Sequence, residues 1–264
     1  MSNILILGHT GMLGNALCKY LQQCNVGYAT VKDGDRFSSE EYLFEIKSFD
    51  FTDFYIVNCA GSIPQRTKSF SINYTLPEFL CDKVKSAKVI QISTDCVYNA
   101  QAGYPYSSDS LLDATSDYGK SKIRGDMSFL NADDNFKILR TSIIGIDKNN
   151  AGLLSWFLAL PQNSTVNGYA GELWQGVTTL TLSKYILDLI FNWDKFNKLT
   201  LISSKHIYSK YDLLKEFTRI FNRKDINIVY DCKIRNNRSL YGDIVTDNIS
   251  DQLIQLKKFY HATT

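Results

Sequence analysis

Short apolar runs alternate with helical periodicity through the first half of the chain. Asn3–Leu7 reads as a buried strand, and Met12–Gln23 repeats apolar residues at helical spacing. Residues 28–31, 55–59, 89–93 and 137–140 read as further strands, and one helix around 40–47 fits between the second and third. Strands that alternate with helices imply right-handed crossovers and a parallel sheet covered on both faces.

The second half is less regular. Residues 147–174 mix Gly, Asn and aromatics and read as a loop-rich excursion. A helix is predicted over 181–191 and a strand over 199–203, and Ser209 is a candidate N-cap for a helix over 210–221. A late strand over 226–230 and a final helix over 250–260 complete the chain. The layout predicts an α/β protein with a doubly wound parallel sheet. Residues 1–145, with about 178–200, would form a nucleotide-binding domain, and 146–177 with 201–264 a smaller α/β lobe.

Composition narrows the field. Of 264 residues, 44% are hydrophobic and 21% charged, which is enough to bury a core. The net charge of +2 and the lack of a Lys/Arg block argue against a nucleic-acid partner. The apolar run at 4–7 is too short for a signal peptide, and no segment has the length of a membrane span. A cytoplasmic protein with no membrane partner is expected. None of the six cysteines forms a C-x-x-C pair, so neither a zinc site nor a disulfide framework is expected. Only three histidines are present, which disfavours a His-based triad or a multi-His metal site.

Gly8-His9-Thr10-Gly11-Met12-Leu13-Gly14 joins the first strand to the first helix. Gly8 would permit a tight exit from the strand, Gly11 a close approach to a pyrophosphate, and Gly14 close helix packing. The backbone from Thr10 to Leu13 would then present free N–H groups to phosphate. The end of the second strand normally selects the ribose partner. Lys32 and Arg36 could clamp a 2′-phosphate there, which favours NADP(H) over NAD(H), although Asp33 and Asp35 share the turn.

Tyr118-Gly119-Lys120-Ser121-Lys122 is a Y-x-x-x-K sequence, and on a helix its two outer residues share a face. A nearby ammonium favours the phenolate and would lower the high pKa of a free tyrosine, while the lysine could hold a ribose. The spacing alone is weak, because Tyr28/Lys32 and Tyr211/Lys215 share it. Surroundings distinguish Tyr118. The strand over 89–93 ends in Ser93-Thr94-Asp95-Cys96-Val97-Tyr98, and ligands of open α/β sheets bind outside the carboxyl ends of strands. Thr94 is the candidate to hold a substrate carbonyl, and a turn cap is its alternative role. Asn58-Cys59-Ala60-Gly61 ends another strand and would lie beside the cofactor.

Taken together, the glycine loop, Asn58–Gly61, the 93–98 segment and Tyr118/Lys122 resemble the extended short-chain dehydrogenases. Within them the chain is most similar to the dTDP-4-dehydrorhamnose reductases and their sugar-nucleotide relatives. Residues 139–145, 154–157, 166–169, 174–179 and 209–214 extend the resemblance over almost the whole chain. It implies a Rossmann fold with a small C-terminal substrate lobe. It also implies Thr94, Tyr118 and Lys122 as the catalytic set, with Gly8, Thr10, Gly11, Met12, Leu13, Cys59, Ala60, Gly61, Ser93 and Thr141 near the cofactor. Asp95, Ser142, Trp156 and Trp174 would lie near the substrate, and core packing is an equal alternative for both tryptophans and for Tyr169. Two departures stand out. The segment between the second and fourth strands is compressed, and the usual Gly-Glu after the catalytic residues is Gly125-Asp126.

The resemblance implies reduction of a 4-keto-6-deoxy sugar nucleotide for deoxysugar and surface-polysaccharide synthesis, by a monomer or homodimer. No metal is assigned, because the acidic residues that bind one in some relatives have no counterpart that can be placed. An epimerase on the same scaffold is one alternative. Asp95-Cys96 replaces the Asp-Glu pair usual in related dehydratases, which disfavours that reaction. A non-catalytic cofactor-binding regulatory subunit is the rival from another class, and an intact Thr94, Tyr118 and Lys122 argues against it. Arg66 is a candidate to reach a diphosphate or a solvated loop residue.

Overall fold

The computed structural model describes residues 3–31 and 51–261. The expected helix around 40–47, Lys32 and Arg36 all lie outside the described residues.

In the first half, β1 (Asn3–Leu7), α1 (Met12–Gln23), β2 (Ala29–Thr30), β3 (Phe54–Asn58), α2 (Ile72–Lys83), β4 (Lys88–Ser93), α3 (Asp117–Leu130) and β5 (Phe136–Arg140) alternate as expected. Then follow β6 (Ile143–Ile144), α4 (Leu153–Leu158), β7 (Thr165–Tyr169), β8 (Glu172–Trp174), β9 (Val177–Thr178) and α5 (Thr179–Phe191). The chain continues through β10 (Leu199–Ser204), β11 (Tyr208–Ser209), α6 (Lys210–Ile220), β12 (Asn227–Asp231), β13 (Asn236–Asn237), β14 (Ile244–Thr246) and α7 (Ile249–His261).

Seven strands form one parallel sheet in the order β14-β10-β5-β4-β3-β1-β2. This is a Rossmann-type α/β fold. Parallel strands are buried on both faces, and β1 shows how. Ile4 and Ile6 pack with α1 and α5 on one side, while Leu5 and Leu7 pack with α2 and Phe129 of α3 on the other. Strand order reverses between β1 and β3, and ligands of such sheets sit in the crevice at that reversal.

The region beyond β5 differs from the sequence expectation. The excursion at 147–174 holds a helix and two strands, α4, β7 and β8. The late strand β12 pairs with β7 away from the main sheet, while β8 lies between β11 and β13. These elements share a core in which Leu154, Phe157, Trp174, Leu213, Phe217, Leu253 and Phe259 are buried. The expected boundary at residue 200 cuts through β10, which is a whole member of the main sheet. Beside it runs β14, from the segment assigned to the lobe. Parallel pairing places β14 at the edge, a relation that local periodicity does not encode. Ser209 is the expected N-cap of α6, in a capping box with Asp212.

Candidate active site

The glycine loop lies at the strand-order reversal. Gly8 has a φ of 77° and its backbone packs so close to the turn after β3 that an added Cβ would stand 2.6 Å from the Ala60 nitrogen. At Gly14 an added Cβ would collide with the Gly8 carbonyl oxygen, so the first turn of α1 folds onto the loop itself. α1 starts at Gly11 with no side-chain cap and no acid in its first turn. Its leading N–H groups are therefore left for an anion. That is the fit a nicotinamide dinucleotide requires. The Leu13 side chain belongs to the core, so only its backbone can serve a ligand. Met12 leans toward the 145–152 loop, where a Cβ on Gly152 would stand 3.5 Å from its sulfur.

The turn after β3 borders this loop. The Cys59 nitrogen donates to the Leu7 carbonyl at 2.9 Å. Asn58 Nδ2 donates to Gln91 Oε1 at 2.7 Å and its Oδ1 accepts from the Ala60 nitrogen at 3.1 Å. Cys59, Ala60 and Gly61 thus stand between the glycine loop and β4. Burial pushes the Cys59 thiol far above its usual range, with the nearby Lys122 charge opposing.

Tyr118 and Lys122 lie in the first turns of α3, which Ser116 caps by accepting from the Gly119 nitrogen at 3.1 Å. An added Cβ on Gly119 would strike the Cys96 carbonyl oxygen, so glycine next to Tyr118 lets the helix press onto the turn after β4. Thr94 caps that turn, accepting from the Cys96 nitrogen at 3.2 Å and donating to Asp95 Oδ1 at 3.1 Å. The capping role therefore leaves the hydroxyl within reach of Tyr118. Asp95 is 4% exposed, and burial raises its pKa against the pull of Arg238. The same burial, with Asp95 beside it, pushes the Cys96 thiol up to about 12.

The electrostatics of the pair depart from the sequence expectation. Tyr118 packs its ring edge on Phe70 at 5.8 Å between centroids. Burial pushes its phenol up rather than down, Cys96 adds to the rise, and the Thr94 hydroxyl within hydrogen-bonding reach pulls the other way. Desolvation is the largest cause, because a buried phenolate loses its hydration. Lys122 is itself pulled down by burial, and its Nζ donates to the Ile92 carbonyl at 2.7 Å. A protonated phenol is the form that donates to a developing alkoxide, so the raised value suits reduction.

Ser93 and Thr141 are buried. Ser93 Oγ donates to Asp126, and the Thr141 nitrogen donates to the Ser93 carbonyl at 3.5 Å. Trp174 Nε1 donates to Ser142 Oγ at 2.8 Å, which joins two substrate candidates, but the ring is 8% exposed and belongs to the lobe core. Trp156 is 39% exposed on α4 and its indole makes no hydrogen bond among the described residues. Arg66, partly exposed, pairs with the buried carboxylate of Asp147, which ties it to the 147–152 turn.

Three residues were given no role by the sequence reading. Asn73, on α2, accepts from the Ser62 nitrogen at 2.8 Å and donates to Ser121 Oγ at 3.0 Å, locking α2 to the helix of Tyr118. Asp126 and Arg140 form an ion pair at 2.9 Å with both side chains fully buried. Asp126 had a signal, its spacing of four from Lys122, and Arg140 had one, a charge inside an apolar strand. Among the described residues no cluster of three or more His, Cys, Asp or Glu could hold a metal ion, and no helix is long and apolar enough to cross a membrane.

A family model described as the RmlD substrate binding domain matches residues 1–213. The chain belongs to that family. The RmlD-family chain is 29% identical over 152 residues to the spore coat polysaccharide biosynthesis protein SpsK of Bacillus subtilis. That match covers 54% of this chain and 53% of SpsK, so the chain spans about half the length of that curated relative. A crystal structure of a dTDP-4-dehydrorhamnose reductase from Bacillus anthracis, in complex with NADP, is similar over all of both chains, with a TM-score of 0.78 and 18% identity. A dTDP-glucose 4,6-dehydratase from the same organism, in complex with NAD, has a TM-score of 0.74 and 17% identity over 99% of this chain and 97% of its own. The two structures share the fold of this RmlD-family member and differ from each other in the cofactor bound.

Proposed function

We propose that this protein reduces the 4-keto group of a 4-keto-6-deoxy sugar nucleotide, using a nicotinamide cofactor. The observation that carries the reading is the meeting of Thr94, at the end of β4, with Tyr118 and Lys122 on α3, beside an uncapped α1 and its glycine loop. Family membership supports it. The cofactor would supply the hydride. The chain's own residues do the rest. Gly8–Leu13 hold the phosphates by backbone N–H groups, and Lys122 reaches a ribose hydroxyl. Thr94 positions the substrate oxygen, and the phenol proton of Tyr118 passes to that oxygen as it gains charge.

The finer assignments belong to the same proposal. Lys32 and Arg36 favour NADP(H) over NAD(H), because a 2′-phosphate needs cations where NAD needs an acid. The elements beyond β5 supply the sugar-nucleotide side through Ser142 and Trp156, and Asp95 in the turn after β4 is the further candidate to touch it. Trp174 supports Ser142 from the core. The protein acts in the cytoplasm as a monomer or homodimer.

Loss of NADPH or NADH absorbance with a panel of 4-keto-6-deoxy sugar nucleotides tests the reading. Turnover with a dTDP-4-keto sugar, faster with NADPH, is expected. No turnover with any keto sugar nucleotide, alongside tight binding to another protein, overturns it in favour of a regulatory subunit.

A further inference from the structure

On the helix of Lys122 lies a buried ion pair, Asp126 with Arg140, that the proposed chemistry does not use. Tyr118, Lys122 and Asp126 recur at four-residue intervals on α3, so their side chains share one stripe of the helix. Lys122 is 6% exposed, and Asp126 and Arg140 are 0% exposed. Asp126 Oδ2 accepts from Arg140 Nη2 at 2.9 Å and from Ser93 Oγ, while its Oδ1 is buried without a hydrogen-bond partner among the described residues. Arg140 Nη1 donates to Tyr98 Oη at 2.9 Å, and Tyr98 Oη donates to the Ser107 carbonyl at 3.0 Å. Asp126 is thus fastened from two strands, β4 and β5.

We propose that Asp126, clamped by Arg140 and Ser93, is a positioning residue that holds Lys122 as an ammonium on the helix stripe it shares with Tyr118. The groups that act on Lys122 from the elements around it are few. Asp126 comes from its own helix, Arg140 from β5, Cys59 from the turn after β3 and the Ile92 carbonyl from β4. Burial pulls the ammonium down and Arg140 adds to the fall, while Asp126 is the main opposing charge. A neutral lysine would still donate to the Ile92 carbonyl but would lose its pull on a phenolate and one ribose donor. Arg140 cannot supply the charge itself, because it repels Lys122 and its Nη1 and Nη2 groups are turned to Tyr98 and Asp126. A carboxylate paired with Arg140 and one helical turn from Lys122 lets both cations remain charged. Part of this inference, the use made of Lys122, rests on the ketoreductase reading. The charge relation does not.

The test is an NMR titration of lysine labelled with 13C at Cε, in the cofactor-free protein, with K122R assigning the resonance. In the wild type, the Lys122 signal should stay that of an ammonium through neutral pH. In D126N its midpoint should fall by about one pH unit or more, and in D126E it should stay close to the wild type. An unchanged midpoint in folded D126N overturns the proposal, as does a wild-type Lys122 already neutral at pH 7. If D126N does not fold, the wild type and D126E decide. A D126E midpoint that falls overturns the proposal, because a carboxylate is still present. In turnover, D126N should lower kcat and move the alkaline limb of its pH profile to lower pH, with D126E restoring it. A purely structural tie between α3 and β5 would move neither midpoint nor limb. Turnover that fails in the wild type while the titration holds would sink the ketoreductase reading alone.

Discussion

The Lys122 ammonium donates to the Ile92 carbonyl at 2.7 Å, which ties the helix of Tyr118 to the strand that ends in Thr94. The tie crosses from α3 to β4, so the two halves of the site cannot drift apart without breaking a buried, charge-assisted bond. Precision of this kind matters for proton transfer, where a displacement of about 1 Å can cost about 10²-fold in rate.

Tyr118→Phe removes the phenol proton and little else, since the ring keeps its contact with Phe70. General acid catalysis contributes roughly 10²–10⁴-fold, so kcat should fall by about that much. Cofactor affinity, followed by NADPH fluorescence, and the urea midpoint should stay near wild type. Wild-type turnover in this variant would refute the assigned role.

Gly119→Ala places a Cβ against the Cys96 carbonyl oxygen and forces α3 away from the Thr94 turn. A loss of about 10²-fold in kcat is expected from such a shift. Overpacking of this size costs about 1–3 kcal/mol, so the variant should still fold. Thermal unfolding and turnover measured on one preparation separate the two effects.

Lys122→Met makes a prediction about pH. Burial lowers the Lys122 pKa in the folded protein below its value in the unfolded chain. Between those two values the unfolded chain binds more protons than the folded one, so stability rises with pH. The window closes at the ordinary lysine value of about 10.4. The stability difference between wild type and K122M should therefore move in favour of the wild type as pH rises through that window. Urea titrations at neutral and alkaline pH measure it, and a difference that moves the other way contradicts the depressed value.

Arg140→Met leaves the fully buried Asp126 carboxylate without its cation. Breaking a buried pair by removing one partner costs about 3–5 kcal/mol, far more than a surface pair would. The urea midpoint should drop accordingly. A change under about 1 kcal/mol would show that the carboxylate is neutralised another way.

Local pattern was enough to locate most elements. Leu13, Leu17 and Leu21 recur at helical spacing, and α1 buries all three. The Ile4–Leu7 run is apolar throughout because both sheet faces are covered, and β1 lies inside the sheet. The excursion at 147–174 was opaque because α4, β7 and β8 are short and find partners far along the chain: β7 pairs with β12, and β8 with β11 and β13.

The sequence by itself determined the glycine loop, the strand-helix alternation and the placing of Tyr118 and Lys122 one turn apart on a single helix, because each depends on neighbours within one or two turns. Only the tertiary structure decided which way burial shifts Tyr118, because desolvation depends on what packs around a group. It likewise decided that Thr94 caps its own turn beside that tyrosine, that Trp174 supports Ser142, and that Arg66 lands on Asp147. Arg140 gains its meaning in the same way. A charge within an apolar strand is a puzzle in sequence, and it is resolved when a crossover helix delivers Asp126 to meet it.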